Sequence, residues 1–346
     1  DTTESRGLGD VYKRQDQFKA LILNQKGEEF TREVKSVDKS FLKHGDVTVK
    51  VDYSDLNFKD GMILKNGGRL VKEFPHIPGI DFSGTVLESS NSKFKEGDEV
   101  ILTGFRVGEI FYGGYSQIAK VDGNFLVKKP KNLTSKQAMI LGTAGFTSLM
   151  SAFAIKAREE ILLGEKVNNV LVTGATGGVG SVAVIALNKM GYNVTAVTGK
   201  DSKVDYLKSL GARTVVNRVE FDKDPRLIDK ALWDGVVDTV GGKILANAIV
   251  QTNSNGIIAV CGNANTNELN TNVIPFMLRG IKLWGMDSAN CSIKRREFIW
   301  SEAANLIDFS LLEKSIQTVS LEELIETYPK ILKGEISGRV LVDLNK

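Results

Sequence analysis

Val170-Leu-Val-Thr-Gly-Ala-Thr-Gly-Gly-Val-Gly180 is the stretch of sequence that decides the fold. Its first four residues predict a buried strand, Val170–Thr173, and the apolar segment Gly180–Met190 predicts a helix. Glycines between a strand and a helix let backbone N–H groups approach a pyrophosphate, which the helix N-terminus also attracts. The candidate phosphate-binding residues are Gly177, Gly178, Val179 and Gly180. A tight glycine turn without a ligand is the alternative interpretation, so the surrounding elements must decide.

Downstream of this turn, strand and helix signals alternate. Further strands are predicted at Val194–Thr198, Thr214–Asn217, Gly235–Val240, Gly256–Cys261 and Lys282–Met286. Helices are predicted between them at Ser202–Leu210 and Lys243–Val250. This alternation is typical of a doubly wound parallel sheet, an α/β fold.

The flanking regions have different patterns. Phe18–Lys120 contains short alternating strands separated by many glycines, which predicts a small, partly open β-barrel. Helical spacing follows at Ser135–Lys156 and Ala157–Leu163. After Ser288, we predict helices at Lys294–Phe309 and Leu321–Leu332 and a last strand at Arg339–Leu344.

Composition excludes several classes of protein. The 346 residues carry a net charge of +3, which argues against a strongly basic nucleic-acid binder. A hydrophobic content of 42% argues against a disordered or fibrous chain. Apolar runs such as Val182–Leu187 and Gly256–Gly262 are too short to span a membrane. Two cysteines and two histidines argue against a disulfide framework, a four-cysteine zinc site and a histidine-rich metal site.

The amino-terminal segment does not fit the rest of the chain. Asp1–Gln15 contains no apolar core of a secretory signal, and its GLGDVYKRQ resembles translated sequencing-adaptor text. We therefore expect residues 1–16 to be a non-native or disordered leader. Without a targeting signal, and with free thiols permitted, a cytoplasmic location is expected.

The end of the second predicted strand bears on the choice of dinucleotide. An NAD site usually has an acidic residue there for the ribose 2′-hydroxyl, whereas this chain has Thr198-Gly199-Lys200. Lys200 and Arg218 could meet a 2′-phosphate, with a hydrogen bond from Thr198. Asp201 is the counter-argument, and we interpret it as the N-cap of the following helix. The pattern favours NADPH over NADH.

With these residues in view, the chain resembles the medium-chain dehydrogenase/reductase superfamily. It is most similar to the zinc-independent acryloyl-CoA reductase branch, also labelled quinone oxidoreductase of the YhdH/YhfP type. The similarity runs from about Phe18 to Leu344. It is carried by Ser54–Asp60, Ile77–Gly84, Leu102–Gly104, Gly142–Thr147, Val172–Gly180, Tyr206–Ala212 and Asp238–Gly241.

This resemblance implies a domain organisation. A GroES-like, partly open β-barrel catalytic domain would comprise residues 17–141 and 288–346. A Rossmann NADP-binding domain would comprise residues 142–287, and the protein would be a homodimer.

The resemblance also implies that no metal is bound. Zinc-dependent members have Gly-His-Glu where this chain has Gly79-Ile80-Asp81, so Ile80 replaces a histidine ligand. His44 and His76 are interpreted as a turn residue and a structural residue.

Asn57 and Asp60 are the catalytic candidates, because the segment that contains them lies at the cofactor by resemblance. They are three positions apart, which places them on one face of a helical turn. Close relatives usually have Tyr where this chain has Phe58, whose ring can stack beside the nicotinamide but cannot donate a proton. Asp60 or an ordered water is then the remaining donor. A helix-capping or salt-bridged carboxylate is the alternative for Asp60.

Other candidates are assigned to the nicotinamide by resemblance. They are Thr143 and Thr147, then Cys261, Gly262 and Asn263, then Asp287 and Ser288, and finally Arg339. A buried inert thiol is the alternative for Cys261. Lys65, Arg69 and Lys72 could meet the phosphates of a coenzyme A, or form a solvated face.

The resemblance implies NADPH-dependent reduction of an activated carbon–carbon double bond. The expected substrate is acryloyl-CoA or a similar 2-enoyl thioester, which would give propanoyl-CoA by hydride transfer to the β-carbon. NADPH reduction of a quinone, enal or enone is the first alternative. A non-catalytic NADPH-binding protein is the second. We expect a small-molecule substrate and neither a nucleic-acid nor a membrane partner.

Overall fold

The computed structural model describes residues 17–346, and the predicted leader lies outside the described residues. By internal contacts the chain divides into two compact units. The first comprises 17–143, Ala289–Ser301 and Ser315–Lys346, and the second comprises Ala144–Ser288 and Glu302–Lys314. The predicted domain division had assigned Glu302–Lys314 to the barrel-like domain with the rest of residues 288–346. The assignment of catalytic and cofactor-binding roles to two domains stays a prediction.

Residues 17–346 form fifteen strands and nine α-helices. The strands are β1 (Gln17–Lys26), β2 (Glu29–Asp38), β3 (Val47–Asp55), β4 (Asp81–Ser89), β5 (Glu99–Thr103), β6 (Ile118–Val121), β7 (Val127–Lys128), β8 (Asn169–Val172), β9 (Asn193–Thr198), β10 (Thr214–Asn217), β11 (Trp233–Asp238), β12 (Thr252–Val260), β13 (Lys282–Gly285), β14 (Ile316–Val319) and β15 (Arg339–Asp343). The helices are α1 (Phe58–Asn66), α2 (Ser135–Ile161), α3 (Gly178–Lys189), α4 (Val204–Ser209), α5 (Gly242–Val250), α6 (Ile274–Arg279), α7 (Ile293–Leu306), α8 (Phe309–Glu313) and α9 (Leu321–Leu332).

The first unit is built around a seven-stranded sheet in the order β14-β15-β3-β4-β5-β7, with β6 also paired to β3. Every pairing is antiparallel except that of β14 with β15. The last strand, β15, therefore lies beside β3, which is almost 300 residues earlier in the sequence. A hairpin, β1–β2, adds to this unit through bridges from Ala20 to Ser116 and from Leu23 to His76.

The second unit contains a six-stranded, wholly parallel sheet in the order β10-β9-β8-β11-β12-β13. Numbered within the unit, this is the 3-2-1-4-5-6 order of the Rossmann fold. The predicted doubly wound sheet is thereby confirmed. In such sheets ligands bind at the carboxyl ends of the strands, where the order reverses, which here lies between β8 and β11.

Helix α2 differs from the expectation. Two helical segments were predicted, at Ser135–Lys156 and Ala157–Leu163, whereas α2 extends from Ser135 to Ile161 and is interrupted by a kink at the non-helical residue Gly142. It is also long and apolar enough to cross a membrane, although the apolar runs noted in the sequence were all too short to do so. Of its most apolar window, 89% is buried in the protein, so packing in the core accounts for this apolar character.

Candidate functional site

A buried polar network lies in the first unit, where β3 and β15 meet the start of α1. Asn57 precedes α1 and donates from Nδ2 to Asp55 Oδ1 at 2.8 Å and to Asp81 Oδ2 at 2.9 Å. Arg339, the first residue of β15, donates to the Asp55 carboxylate, to Asn57 Oδ1 at 3.3 Å and to the Ile140 carbonyl at 3.0 Å. Arg339 is only 4% exposed, so its guanidinium serves these protein acceptors. Its predicted contact with the cofactor has no such geometric support.

Thr143 joins the same network. Its backbone N–H and its hydroxyl both donate to the Asp81 carboxylate, each at 2.6 Å. The preceding Gly142 has φ +52° and ψ −154°, a conformation essentially restricted to glycine. A Cβ at this position would lie 1.7 Å from Asp55 Oδ2. The break in α2 therefore gives the Asp55–Arg339 pair the space it occupies.

Asp60 is fully buried in the first turn of α1. Its Oδ2 accepts the backbone N–H of Asn57 at 2.9 Å, and its Oδ1 accepts that of Ile80 at 3.0 Å. Burial, and secondly the charge of Asp81, raise the pKa of Asp60 to about 7. Both oxygens thus hold the start of α1 and the start of β4 together. This geometry supports the capping alternative, while the catalytic role of Asp60 stays a prediction.

Three buried carboxyl groups, those of Asp55, Asp60 and Asp81, belong to this network, and Arg339 pairs directly with that of Asp55. Burial raises the pKa of Asp55 well above its usual range, as does the charge of Asp81, while Arg339 opposes the shift. Tyr115 donates its hydroxyl to the Asp55 carbonyl at 2.9 Å. Burial and the nearby carboxylates raise the pKa of Tyr115 well above its usual range, so its phenol stays neutral. Asp55, Asp81 and Tyr115 were not among the predicted site residues, although both aspartates lie in motifs that carried the family resemblance.

Phe58 and Lys59 begin α1 beside the network. The Phe58 side chain is 50% exposed, which is unusual for a large apolar ring next to buried charges. Lys59 forms an ion pair with the buried Glu109 at 2.8 Å. The predicted stacking of this ring beside the nicotinamide stays a prediction.

In the second unit, the glycine turn leads from β8 into α3. Gly174 has φ +57°, and a Cβ on Gly180 would lie 2.4 Å from the Gly174 carbonyl oxygen, so close strand–helix packing requires both glycines. At Gly177, the N-cap, a Cβ would meet only an ordinary 3.4 Å contact and the φ is −79°. Packing does not require glycine there, whereas close approach of a pyrophosphate does. The first N–H groups of α3, at Gly178, Val179 and Gly180, lack partners within the helix. The turn therefore fits a dinucleotide phosphate.

The end of β9 brings the predicted 2′-phosphate residues together. Arg218 lies over Gly199, where a Cβ would be 2.7 Å from its Nε. Buried Thr198 accepts the backbone N–H of Lys200 through its hydroxyl at 3.1 Å. The N-cap prediction for Asp201 is wrong, because Lys200 occupies the cap position of the Asp201–Lys203 3₁₀ turn. Asp201 instead accepts a hydrogen bond from the Asn217 side chain at 2.7 Å.

The remaining predicted residues of the second unit also follow strand ends, except Thr147, which is buried on α2. Cys261, Gly262 and Asn263 come after β12, and Asp287 and Ser288 come after β13. The Cys261 thiol donates to the Asp238 carbonyl at 3.3 Å, and burial, aided by the Asp238 charge, raises its pKa to about 12. The hydrogen bond and the raised pKa support the alternative of an inert thiol for Cys261.

Within residues 17–346, no group of three or more His, Cys, Asp or Glu side chains is arranged to hold a metal ion. Ile80, the residue in the position of the absent histidine ligand, is 4% exposed and belongs to the apolar core of the first unit. Metal independence itself stays a prediction.

Two family models match this sequence. Residues 43–131 match the alcohol dehydrogenase GroES-like domain, and residues 178–308 match a family described as zinc-binding dehydrogenase. The acrylyl-CoA reductase AcuI of Ruegeria pomeroyi is 44% identical over 331 residues, which is 95% of this chain and 99% of that protein.

Two further bacterial proteins are similar in sequence and structure. The Bacillus subtilis protein named "Putative quinone oxidoreductase YhfP" is 42% identical over 94% of this chain and 99% of its own length. Its structure with NAD bound aligns with a TM-score of 0.90 over 95% of this chain and all of that one, at 41% identity. The structure of Escherichia coli YhdH with bound NADPH aligns with a TM-score of 0.89 over 94% of this chain and all of that one, also at 41% identity.

These matches cover both units and confirm the predicted GroES-like and Rossmann folds. Together with the strand order and the glycine turn, they show that the chain belongs to the medium-chain dehydrogenase/reductase superfamily, among relatives named acrylyl-CoA reductase AcuI and YhfP.

Proposed function

We propose that this protein catalyses the NADPH-dependent reduction of an activated carbon–carbon double bond, with acryloyl-CoA or a similar short 2-enoyl thioester as substrate. The observation that carries the proposal is the 44% identity to an acrylyl-CoA reductase over 95% of the chain. When bound, NADPH would supply the hydride for the β-carbon, and a proton would add at the α-carbon.

Residues of the second unit support binding of the dinucleotide. The pyrophosphate would lie at Gly177–Gly180, and the 2′-phosphate would be held by Thr198, Lys200 and Arg218. Arg218 forms no hydrogen bond or ion pair with another described residue, so its guanidinium is free for a ligand. Cys261–Asn263, Asp287 and Ser288 are proposed to contact the nicotinamide half.

Residues of the first unit support binding of the substrate. Reduction creates negative charge on the thioester oxygen, which fixed donors in a dry site stabilise. The Asn57 Nδ2 group and the N–H and hydroxyl of Thr143 already donate to the Asp55 and Asp81 carboxylates, so we propose that these two residues shape the site, and the catalytic role of Asn57 stays a prediction. The exposed Phe58 ring can stack on a flat partner. We propose that Asp60 and Arg339 position this segment rather than contact the substrate.

Parallel assays of NADPH oxidation test the function. Acryloyl-CoA, crotonyl-CoA and a benzoquinone are offered to the same preparation at equal concentrations. The proposal requires the highest kcat/KM with acryloyl-CoA. A preference for the benzoquinone would favour the quinone or enone reductase alternative, which the name of the Bacillus subtilis relative motivates. Binding of NADPH without turnover of any substrate would favour the non-catalytic alternative.

Lys200→Asp is expected to weaken NADPH binding by about 2 kcal/mol or more, because a charge-assisted contact becomes a repulsion. NADH binding should change much less, since NADH lacks the 2′-phosphate. Dissociation constants for both cofactors, measured by fluorescence titration, check this. Lys208→Asp, on an exposed face of α4, is the matched control. Equal loss of affinity for NADPH and NADH would contradict the assignment of Lys200.

Prolonged treatment with a metal chelator is expected to leave activity unchanged, because Ile80 stands at the position of a zinc ligand. Activity and zinc content are measured before and after treatment. A stoichiometric zinc whose removal abolishes activity would overturn this prediction.

We also propose that the protein is a cytoplasmic homodimer, with its two free cysteines in the reduced state. Strand β13 is the edge of the parallel sheet and carries Leu283 and Trp284, which are 40% and 41% exposed. Nearby α6 exposes Met277 and Leu278 at 74% and 69%. Exposed apolar side chains on an edge strand and on a nearby helix suit contact with a second copy of the chain.

A further inference from the structure

One corner of the first unit carries four cationic side chains, Arg32, Lys65, Arg69 and Lys72, which we call the basic corner. Lys65 lies in the last turn of α1, and Arg69 and Lys72 follow it. Arg32, on β2, donates from Nη2 to the Lys65 carbonyl at 2.9 Å. Lys72 donates from Nζ to the Arg69 carbonyl at 3.0 Å. These contacts join Arg32 to the main chain at Lys65 and Lys72 to the main chain at Arg69, and the short segment from Lys65 to Lys72 carries three of the four residues.

The basic corner has no counter-charge within the described residues. None of its four side chains forms an ion pair with an acidic group, and the side chains of Lys65 and Arg69 are exposed. The neighbouring Glu73 is exposed and pairs with none of them. The Nε of Arg32 is buried and has no hydrogen-bond partner. Uncompensated cations at one place attract an anionic ligand.

The backbone holds Arg69 in a conformation that few residues adopt. Gly67, Gly68 and Arg69 have φ values of +74°, +60° and +58°, so three successive residues are left-handed. Such a conformation is costly for arginine, and strain of this kind is concentrated at binding sites. The turn is secured by the Asn66 side chain, which accepts the backbone N–H of Gly68 at 3.2 Å.

The position of the basic corner matches a substrate with a reactive end and a distant anionic end. Helix α1 has nine residues, and Phe58 and Asn66 at its two ends lie about 12 Å apart along the helix axis. An acyl-CoA has this form, because an extended pantetheine arm separates its thioester from its phosphates. A quinone carries no such anionic group.

We infer that the basic corner binds the phosphate groups of an acyl-CoA substrate whose thioester lies at the Phe58 end of α1. This inference rests on the proposed function and specifies its substrate class. The basic corner would raise affinity for the nucleotide part of the substrate without taking part in the chemical step.

The test compares acryloyl-CoA with acryloyl-pantetheine, which has the same thioester but lacks the nucleotide and its phosphates. The variant is Lys65→Gln/Arg69→Asn, because asparagine tolerates the left-handed conformation at position 69. Lys43→Gln/Lys131→Gln removes the same charge from exposed positions elsewhere in the first unit and serves as control. The KM of the variant for acryloyl-CoA should rise about tenfold with kcat unchanged. Its KM for acryloyl-pantetheine should stay at the wild-type value.

An unchanged KM for acryloyl-CoA in this variant, or an equal rise in the control, would refute the inference while leaving the proposed function intact. If the wild-type protein reduces neither thioester, the proposed function fails instead. In that case the affinities of CoA and dephospho-CoA, measured with NADP present, still test the basic corner. Weaker binding of CoA by Lys65→Gln/Arg69→Asn than by the wild-type protein supports the inference. Inorganic phosphate that competes as well as dephospho-CoA would show an unspecific anion site and refute it.

Discussion

Arg339→Met is expected to lower the free energy of unfolding by about 3–5 kcal/mol, since it leaves the buried Asp55 carboxyl group without its cationic partner. Asp55 and Arg339 are 0% and 4% exposed in their ion pair, so solvent cannot replace the lost partner. Methionine keeps much of the length and apolar volume of arginine, which limits the contribution of a cavity. The Asn57 amide oxygen and the Ile140 carbonyl also lose their donor.

Urea unfolding at pH 7 measures this effect, and Arg226→Met is the matched control. Arg226 also pairs with an aspartate, Asp229, at 3.5 Å, but its side chain is 78% exposed. An exposed pair contributes about 0–1 kcal/mol, so the control should remain close to wild type. The loss for Arg339→Met should shrink at low pH, where protonated carboxyl groups no longer need a cation. Similar losses for both variants would show that the network does not depend on Arg339.

The parallel sheet was predictable because each of its strands is a local signal. Runs such as Val170–Thr173 and Val194–Thr198 are rich in apolar and β-branched residues, and the observed strands differ from these two by at most one residue at each end. The strand predicted at Gly256–Cys261 begins four residues earlier, at Thr252. Because strands and helices alternate along the chain, only a few sheet topologies are possible. Helix boundaries were less predictable where the sequence analysis did not recognise an N-cap residue. The helix predicted at Lys294–Phe309 ends at Leu306, and Asp308 caps a new helix by accepting the Ser310 N–H at 3.0 Å.

The buried network could not be predicted by local reasoning. Asp55 and Arg339 are separated by 284 positions, and only the pairing of β15 with β3 brings them together. Sequence spacing did place Asn57 and Asp60 on one helical turn. It could not show that Asp60 is buried between two backbone N–H groups, because Ile80 comes from a different element. Likewise Gly142 was part of a family motif, but the sequence could not show why glycine is required there. The Asp55 carboxylate occupies the space that a Cβ at this position would need.

The stability of the protein is expected to fall as pH rises from about 4 to about 7, in part because of Asp60. The pKa of this carboxyl is about 7 in the folded protein, against 3.8 for the unperturbed group. The folded state therefore binds the proton more tightly than the unfolded state, and raising the pH removes that advantage. The contribution is fully present below about pH 4 and is lost as pH passes through 7. A shift of this size corresponds to about 4 kcal/mol.

The Asp60→Asn variant isolates the contribution of Asp60 to this dependence of stability on pH. The amide cannot ionise, and its NH₂ group must face a backbone N–H of Asn57 or Ile80, which costs about 1–3 kcal/mol. The variant should therefore be less stable than wild type at pH 5, and the difference should shrink or reverse by pH 8. Urea unfolding across this range measures the difference. A difference that is constant with pH would show that Asp60 does not titrate there.

The rate of the same variant decides between the two roles of Asp60. A carboxyl that relays a proton to substrate should lose on the order of a hundredfold in kcat when it becomes an amide. A carboxyl that caps α1 should retain kcat at temperatures where the variant is folded. Because Asp60 is 0% exposed and both of its oxygens accept backbone N–H groups, we expect the second result. A hundredfold loss of kcat in a fully folded variant would instead establish Asp60 as the proton donor, since capping alone does not change the chemical step.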